Sequence, residues 1–429
     1  MQDLSLDEVN RHYLDRVISL SDSQPVEAGE DIYSANGIKL LSKGARISRE
    51  AQERLIMHKL KRPLEVCIKV SDSINPDWLA QAADRVIEET PELRPLFGLT
   101  DLTRWIDEIP LNGAMHGMIS VSAGQEACGL QHNLRVALVA LAIGYKLELP
   151  DSDMQILAIA GLLHDMGELY LDPNFIDRKK PISLEAWRHV SAHPVIGYKL
   201  AASVCGLHPA AAQAILDHHE RGDGSGYPKG VKSSEQSRLG SILSAAELVA
   251  SIADVSNHSL ARADIALRMG MNEFPQDVIS VINQAAAERT GPPPETGHTD
   301  EDMHALFLRI ARVLDVIEDF GPRVSGLNEE KRLFERVVER FHCIQRAFSS
   351  SGLDQCHDSA CLGALIGDAS EWLRFEADLV VHEIRWRMRD LVRDLALRAS
   401  LLPSPSASEF FQPLVEALQE KNDLALPER

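Results

Sequence analysis

Apolar residues in the middle of the chain recur three and four positions apart in five blocks: Glu126–Leu147, Asp153–Asp165, Leu184–Ala202, Pro209–His219 and Leu239–Ala253. That spacing keeps one stripe of a 3.6-residue helix apolar, so each block is predicted to be a helix packed on other helices. The same period returns at Asp302–Phe320, Glu329–Phe348 and Ala360–Arg398, which predicts a helical bundle or a dimerising element. Near the start the pattern changes. The stretch DIYSANGIKLL places short apolar runs on either side of Asn36-Gly37, the signature of a hairpin turn. Gly44 sits where a bend is needed, and Ser48 can cap a helix that begins at Arg49 and Glu50.

These elements predict a mainly α fold in five parts. Residues 1–72 form a small N-terminal α/β module and 73–121 a helical connector, with Trp78, Leu79, Leu93, Leu96 and Trp105 set among prolines. Residues 122–287 form the helical core. Residues 288–300 form a linker whose three consecutive prolines cannot continue a helix. Residues 301–429 form a C-terminal helical region that ends in a tail with one short helix.

Composition sharpens this picture. Hydrophobic residues make up 45% of the 429 positions and aromatics only 5%, an Ala- and Leu-rich balance suited to helix-on-helix packing. The net charge of −20 repels nucleic-acid backbones and anionic membranes, so extended nucleic acid is excluded as a partner. A small phosphate ester remains compatible, because a bound cation dominates the local field. No run of eighteen apolar residues is present, so no membrane span is expected. The six cysteines are scattered without a CxxC pair, and the first residues are acidic and polar with no leader pattern. Both point to free thiols in a reducing, cytoplasmic setting. Cys356, His357 and Cys361 lie close together but do not complete a four-ligand set.

The candidate chemistry lies in the core. Three stretches stand out: LLHDMG at Leu162–Gly167, the AHP around His193, and ILDHHERGDGSGYPKG at Ile215–Gly230. His132, in QHNLRVALVALAIG, supplies a further imidazole. One histidine on an apolar helix is most often a core residue; five of them with an aspartate, in this order, are another matter. Imidazole with carboxylate suits iron, manganese or zinc, and an aspartate can bridge two ions. The pairs His164-Asp165 and His218-His219 would each direct two ligands into one cavity, and buried rings without a metal would need other partners for their nitrogens.

The order H…HD…HP…HHE-x-x-DGSGYP-x-G, over roughly Glu126 to Gln284, resembles the HD-GYP subgroup of the HD phosphohydrolases, bacterial enzymes that hydrolyse cyclic di-GMP. The resemblance implies an HD-domain helical core that binds two divalent ions, iron or manganese, through His132, His164, Asp165, His193, His218 and His219. Glu247 takes the place of the family's aspartate in an A-x-x-A-D helix. His164 and Asp165 would stand at the catalytic centre, with Asp165 bridging the ions and orienting the attacking water. Gly226, Tyr227 and Pro228 would lie near the substrate, a cyclic dinucleotide or other small phosphate ester. DIYSANGIKLLSKGARIS also resembles, more loosely, a short module found ahead of such domains.

Four positions depart from the family. Glu168 replaces a lysine beside the metals, and Glu247 is one methylene longer than aspartate. That extra length shifts a carboxylate by roughly 1 Å, against a site tolerance near 0.5 Å. Asp254, two turns on, is the less suitable substitute. Cys128 replaces a glutamate that adds a third metal in some members, and Glu126 faces the wrong way, so two ions are expected. VSNHSLARAD, with Arg262, replaces an arginine-rich RPY stretch. A nearly complete cage with depleted substrate-facing cations fits a weakened metal-dependent phosphodiesterase. The alternative is an inactive regulator that binds ligand or a signalling partner, and a phosphatase of monoesters is the third reading. Trp372, Phe375, Leu379, Ile384 and Trp386, in helical succession, would serve either partner docking, including a homodimer, or bundle core.

The charge at position 168 is directly testable. Two unit charges about 4 Å apart interact by about 4 kcal/mol at an effective dielectric near 20, and roughly 1.4 kcal/mol is a tenfold change in rate. Glu168→Lys is therefore expected to raise the rate of linear-dinucleotide release from cyclic di-GMP by well over tenfold. An unaltered rate would overturn the electrostatic reading of this position.

Overall fold

A computed structural model describes residues 8–70, 74–124, 129–176, 183–254, 258–270, 272–288, 300–324, 328–350, 370–402 and 407–419. Contacts divide the chain into two compact units, one of residues 1–260 with 272–287 and the other of residues 261–271 with 288–428. Helices dominate both, as the apolar period predicts.

The first unit opens with α1 (Arg11–Ser23), which was not among the predicted elements. The Asn10 side chain caps it by accepting the Tyr13 N–H, and Tyr13, Leu14, Val17 and Ile18 are buried at helical spacing. Four short strands follow: β1 (Val26–Ala28), β2 (Ile32–Tyr33), β3 (Lys39–Leu41) and β4 (Ile68–Val70). Strand β1 pairs antiparallel with β4, Val26 opposite Val70, and β2 pairs antiparallel with β3, Ile32 opposite Leu41. The β2–β3 turn falls at Asn36-Gly37, where Gly37 takes a φ of +81° that a side chain would strain. Helix α2 (Arg49–Ile56) starts after Ser48 as expected, although the Ser48 hydroxyl makes no capping bond. A single turn, α3 (Leu64–Cys67), leads into β4.

The connector forms α4 (Pro76–Glu89), α5 (Arg94–Phe97), α6 (Arg104–Asp107) and α7 (Gly113–Ala123), with Leu79, Leu93, Leu96 and Trp105 buried. The core helices are α8 (Leu130–Lys146), α9 (Asp151–Leu163), α10 (Leu184–Val190), α11 (His193–Ser203), α12 (Pro209–Asp217) and α13 (Arg238–Ala253). One expectation needs correction. The single helix predicted over Leu184–Ala202 is two helices, broken at Ser191-Ala192. Pro194 has no N–H to donate and disfavours helical backbone before it, so it sits in the first turn of a new helix that begins at His193. The helix predicted to reach Asp165 ends at Leu163 and tightens into a 3-10 segment, His164–Tyr170.

That 3-10 segment is held from outside the core. Arg16 of α1 donates to the carbonyls of Leu169 (2.7 Å) and Leu171 (2.9 Å), and the Asn10 amide donates to the Tyr170 carbonyl (3.2 Å). The Tyr13 and Tyr170 rings stack at 5.1 Å, and the Tyr170 hydroxyl donates to Glu65. The N-terminal module thus packs on the chain just beyond His164 and Asp165.

The first unit closes with α15 (Gln276–Ala287), after α14 (Ser259–Met269), most of which belongs to the second unit. The second unit continues with α16 (Asp300–Phe320), α17 (Asn328–Ser350), α18 (Glu371–Leu401) and α19 (Ala407–Leu418). Its core gathers Leu306, Val313, Phe320, Val337, Phe341, Ile384, Met388, Leu391 and Phe411. Ile384 belongs to that core, and Phe375 and Leu379 pack with Ala261 and Ile265, with Trp372 partly buried against them, so four of the five aromatic and aliphatic docking candidates serve the unit's own packing. Cys356, His357 and Cys361 fall outside the described residues, as does the 289–299 part of the proline-rich linker. Among the described residues no helix is long and apolar enough to cross a membrane.

Helices α8 and α9 meet at Gly161, where an added Cβ would stand 2.5 Å from Ala137 Cα. Alanine in an open helix position gains about 1 kcal/mol over glycine, whereas forcing atoms into a packed contact costs about 1–3 kcal/mol or more. Overpacking wins, so Gly161→Ala is expected to lower the midpoint of urea or thermal unfolding; an unchanged or higher midpoint would show that α8 and α9 are not in contact there.

Candidate metal centre

Five helix-borne segments deliver the polar groups at the heart of the first unit. His132 comes from the first turn of α8, and His164 and Asp165 from the junction of α9 with its 3-10 extension. His193 begins α11, His218 and His219 follow the last turn of α12, and Glu247 lies within α13. All are buried, from 0% exposure at His164 and His218 to 9% at His219.

Three of the rings are fixed in the same way. The Nδ1 of His164 lies 2.8 Å from the Gly161 carbonyl, that of His193 2.7 Å from Val190 O, and that of His218 2.6 Å from Ile215 O. Each carbonyl belongs to the residue three positions earlier. An acceptor there requires Nδ1 to carry a proton, which in the neutral ring leaves Nε2 as a lone pair directed inward. His132 differs: its Nδ1 stands 2.7 Å from Asp254 Oδ2, and Arg135 pairs with the other oxygen of that carboxylate.

The inward atoms form two groups, His132–His164–Glu247 and Asp165–His193–His218–His219, the donors in each lying within 4.8 Å of one another. Asp165 faces both. Its Oδ2 is 3.2 Å from His164 Nε2 and 4.0 Å from His132 Nε2. Its Oδ1 is 3.3 Å from His193 Nε2 and 3.6 Å from His218 Nε2. Glu247 Oε2 lies 3.1 Å from His132 Nε2 and 3.3 Å from His164 Nε2, while its other oxygen accepts from Ser251 Oγ at 2.7 Å. Ligands bound at 2.0–2.1 Å to one ion are separated by roughly 2.9–3.4 Å, from octahedral to tetrahedral geometry. The extra methylene of Glu247 therefore leaves its carboxylate at ligand spacing, contrary to the misfit its length suggested.

The donor chemistry fits a cation. His193 Nε2 and His218 Nε2 face each other at 3.0 Å while both Nδ1 protons are committed to carbonyls. Two lone pairs at that distance repel unless a proton or a metal ion lies between them. His164 Nε2 is buried with two carboxylate oxygens, Asp165 Oδ2 and Glu247 Oε2, 3.2 and 3.3 Å away, a spacing that a shared cation fits.

Electrostatics divide the group. Burial alone would raise Asp165, but His164, together with His193 and His218, holds its carboxyl well below the usual range. Burial acts the same way on Glu247, and His132 and His164 overcome it. His164 is driven above the ordinary imidazole value: burial opposes this, and the Asp165 and Glu247 charges prevail. His193 moves up as well, against burial, under Asp165 and Glu168. His218 is pushed down to about 4, chiefly by burial, and His219 falls well below the ordinary value by burial and the neighbouring His218 and His193 rings.

The Gly226-Tyr227-Pro228 segment packs against one of these histidines. Tyr227 stacks its ring on His219 at 4.6 Å and donates its N–H to the His219 carbonyl at 3.1 Å. Gly226 lies so close to the backbone of His219 and Arg221 that no Cβ fits. The loop is gathered by Glu220, whose carboxylate accepts the N–H groups of Lys229 (2.7 Å), Gly230 (3.2 Å) and Val231 (3.1 Å). Sequence reasoning missed Glu220, although its place directly after the paired histidines was a signal. It also set Asp254 aside as too distant from the metal, without foreseeing its contact with the rear of His132. Glu168, which replaces the family's lysine, is in neither donor group and is only 8% exposed, with its charge acting on His193. Glu126 and Cys128 lie outside the described residues, and Arg262 belongs to the other unit.

A helical core with an HD pair and further histidines converging from helix ends defines a class, and residues 129–256 match the family described as HD domain. That segment is an HD domain, similar to proteins of the HD-GYP subgroup. It is 30% identical over 121 residues to a cyclic di-GMP phosphodiesterase, PdeB, of Borreliella burgdorferi, covering 28% of this chain and 32% of that protein. It is 33% identical over 117 residues to 3'3'-cGAMP-specific phosphodiesterase 3 of Vibrio cholerae, covering 27% of this chain and 25% of that one. The chain thus spans about a third or less of the length of these curated relatives. A solved HDG"Y"P protein of Bdellovibrio bacteriovorus, Bd1817, aligns with 60% of this chain and 94% of its own at 19% identity and a TM-score of 0.34.

Metal uptake should be linked to protons. The Asp165, Glu247 and Glu168 charges favour a proton on His164 and His193, whereas burial disfavours one on His218 and His219. Binding therefore displaces protons from the ligand imidazoles and strengthens as pH rises. Calorimetric titration of Mn(II) into metal-free protein, in buffers of different ionisation enthalpy, reads the number directly. No proton release would contradict this charge distribution.

Proposed function

We propose that the chain is a metal-dependent phosphodiesterase that hydrolyses cyclic di-GMP or a related cyclic dinucleotide. The observation that carries the reading is the Asp165 carboxylate, one oxygen turned toward each of two imidazole-bearing groups. His132, His164 and Glu247 would hold one divalent ion and His193, His218 and His219 the other, with Asp165 shared. Iron or manganese suits such a nitrogen- and oxygen-rich set. When bound, the pair supplies Lewis acidity toward a phosphodiester and brings the pKa of a water toward neutrality.

The protein's own groups have defined tasks. Asp165 is ionised, so it can accept a proton or a hydrogen bond from a water brought beside it. The carbonyls of Gly161, Val190 and Ile215 keep three rings from rotating, which preserves the geometry between turnovers. Tyr227, half-buried and stacked on His219, would offer its ring to a base or ribose of the substrate. The names of the relatives, both cyclic-dinucleotide phosphodiesterases, support the substrate class.

Glu168 favours the second reading, an inactive regulator that keeps the pocket for ligand or partner binding. Its buried carboxylate beside His193 sets a negative charge where a phosphate would approach. Turnover assays separate the two. Protein purified under reducing conditions and loaded with Fe(II) or Mn(II) is expected to release linear dinucleotide from cyclic di-GMP. His164→Ala and Asp165→Ala should each reduce that rate by at least a hundredfold, the usual scale for removing a group that acts directly on the reacting centre. Chelation should abolish it, and re-addition of metal should restore it. A metal-loaded protein that yields no linear product after long incubation would refute the phosphodiesterase and leave the regulator.

A further inference from the structure

We propose that Asp254, backed by Arg135, is a positioning residue that makes the His132–His164–Glu247 group the tighter, first-filled of two unequal cation sites. The inference rests on the two-ion reading above and adds an order of filling to it.

The asymmetry lies behind the ligands. His164, His193 and His218 each direct Nδ1 at a neutral peptide carbonyl. Only His132 directs it at a carboxylate, Asp254 Oδ2, 2.7 Å away. A carboxylate is the stronger acceptor. It withdraws the Nδ1 proton further, enriches the ring and makes Nε2 a better donor to a cation. Arg135 pairs with the second Asp254 oxygen, which fixes the carboxylate in place. His132 and Arg135 lie one turn apart on α8, so one helix face presents both to Asp254. Their side chains are each 7% exposed and that of Asp254 22%, so bulk water screens this triad little.

The ligand charges point the same way. The His132 group has a carboxylate ligand of its own, Glu247, and faces Asp165 Oδ2; the other group has three imidazoles and Asp165 Oδ1, with Glu168 acting on His193 from outside the donor set. A divalent ion therefore meets more carboxylate in its donor set and directly behind it on the His132 side. Helix α13 supplies both parts of the difference, since Asp254 follows Glu247 by two turns at the helix C-terminus. The glutamate ligand and the carboxylate behind the histidine move as one rigid body.

Metal binding without turnover tests this. Metal-free full-length protein is titrated with Mn(II), with free ion followed by electron paramagnetic resonance. The wild type is expected to take up two ions in two resolved steps. Asp254→Ala should weaken the tighter step by ten- to a hundredfold and leave the weaker step unchanged. Asp254→Asn keeps an acceptor but removes the charge, and should fall between wild type and alanine. His132→Ala should abolish the same tighter step, which assigns it to this group. Circular dichroism and the unfolding midpoint confirm that each variant is folded. Equal weakening of both steps, or no change in either, overturns the role of Asp254. Uptake of fewer than two ions by the wild type overturns the two-ion reading itself, a separate outcome.

Discussion

The Nε2 atoms of His193 and His218 face each other 3.0 Å apart, each ring having committed its Nδ1 proton to a backbone carbonyl, and the Asp165 carboxylate closes the space between them. Such an arrangement is unstable on its own. Neutral rings repel through their lone pairs, protonated rings repel through their charges, and burial penalises every charged form. One buried carboxylate, held ionised by several imidazoles, makes the arrangement tolerable, and a cation makes it favourable. The rest of the first unit can be understood as the scaffold that keeps these groups converged against their mutual repulsion.

Helix ends are the means. A histidine at the close of a helix finds the carbonyl of the residue three positions earlier without an onward partner, as the C-terminal carbonyls of helices generally are. His164 and His218 use that carbonyl to fix their tautomers at the ends of α9 and α12, and His193 does the same just after α10. The break before Pro194 is part of this design. An uninterrupted helix would have left the Val190 carbonyl within the backbone ladder and turned His193 elsewhere. Small residues then let the helix ends meet: Gly161 on Ala137, and Gly167 on the backbone of His193 and Gly197.

The N-terminal module has a mechanical part in this. Arg16 and Asn10 hold the carbonyls at the end of the 3-10 segment, and Tyr13 stacks on Tyr170, only a few residues beyond Asp165. A 3-10 turn is less stable than an α-helix because its hydrogen bonds are poorly aligned. External donors to its last carbonyls therefore steady the segment that carries two of the inward-facing groups. The charged contacts at Arg16 are remote from the pocket in sequence yet adjacent to its frame.

The amino-acid order alone determined the helical character of the chain, since apolar residues at three- and four-residue intervals can bury themselves in no other way. It also marked the β2–β3 turn, where only glycine takes the required backbone angle without strain. The histidines and Asp165 were legible too, because consecutive polar pairs on otherwise apolar helices have few inexpensive explanations. Tertiary structure decided what depends on distance. Glu247 reaches ligand spacing despite its length because α13 sets its backbone where Oε2 lies 3.1 Å from His132. Asp254 stands behind a ring 122 positions earlier, Glu220 gathers three N–H groups of a loop, and Glu168 is buried rather than solvated. No periodicity encodes such relations. They arise when separate helices pack, and only then does each carboxylate acquire the neighbours that define its charge and its task.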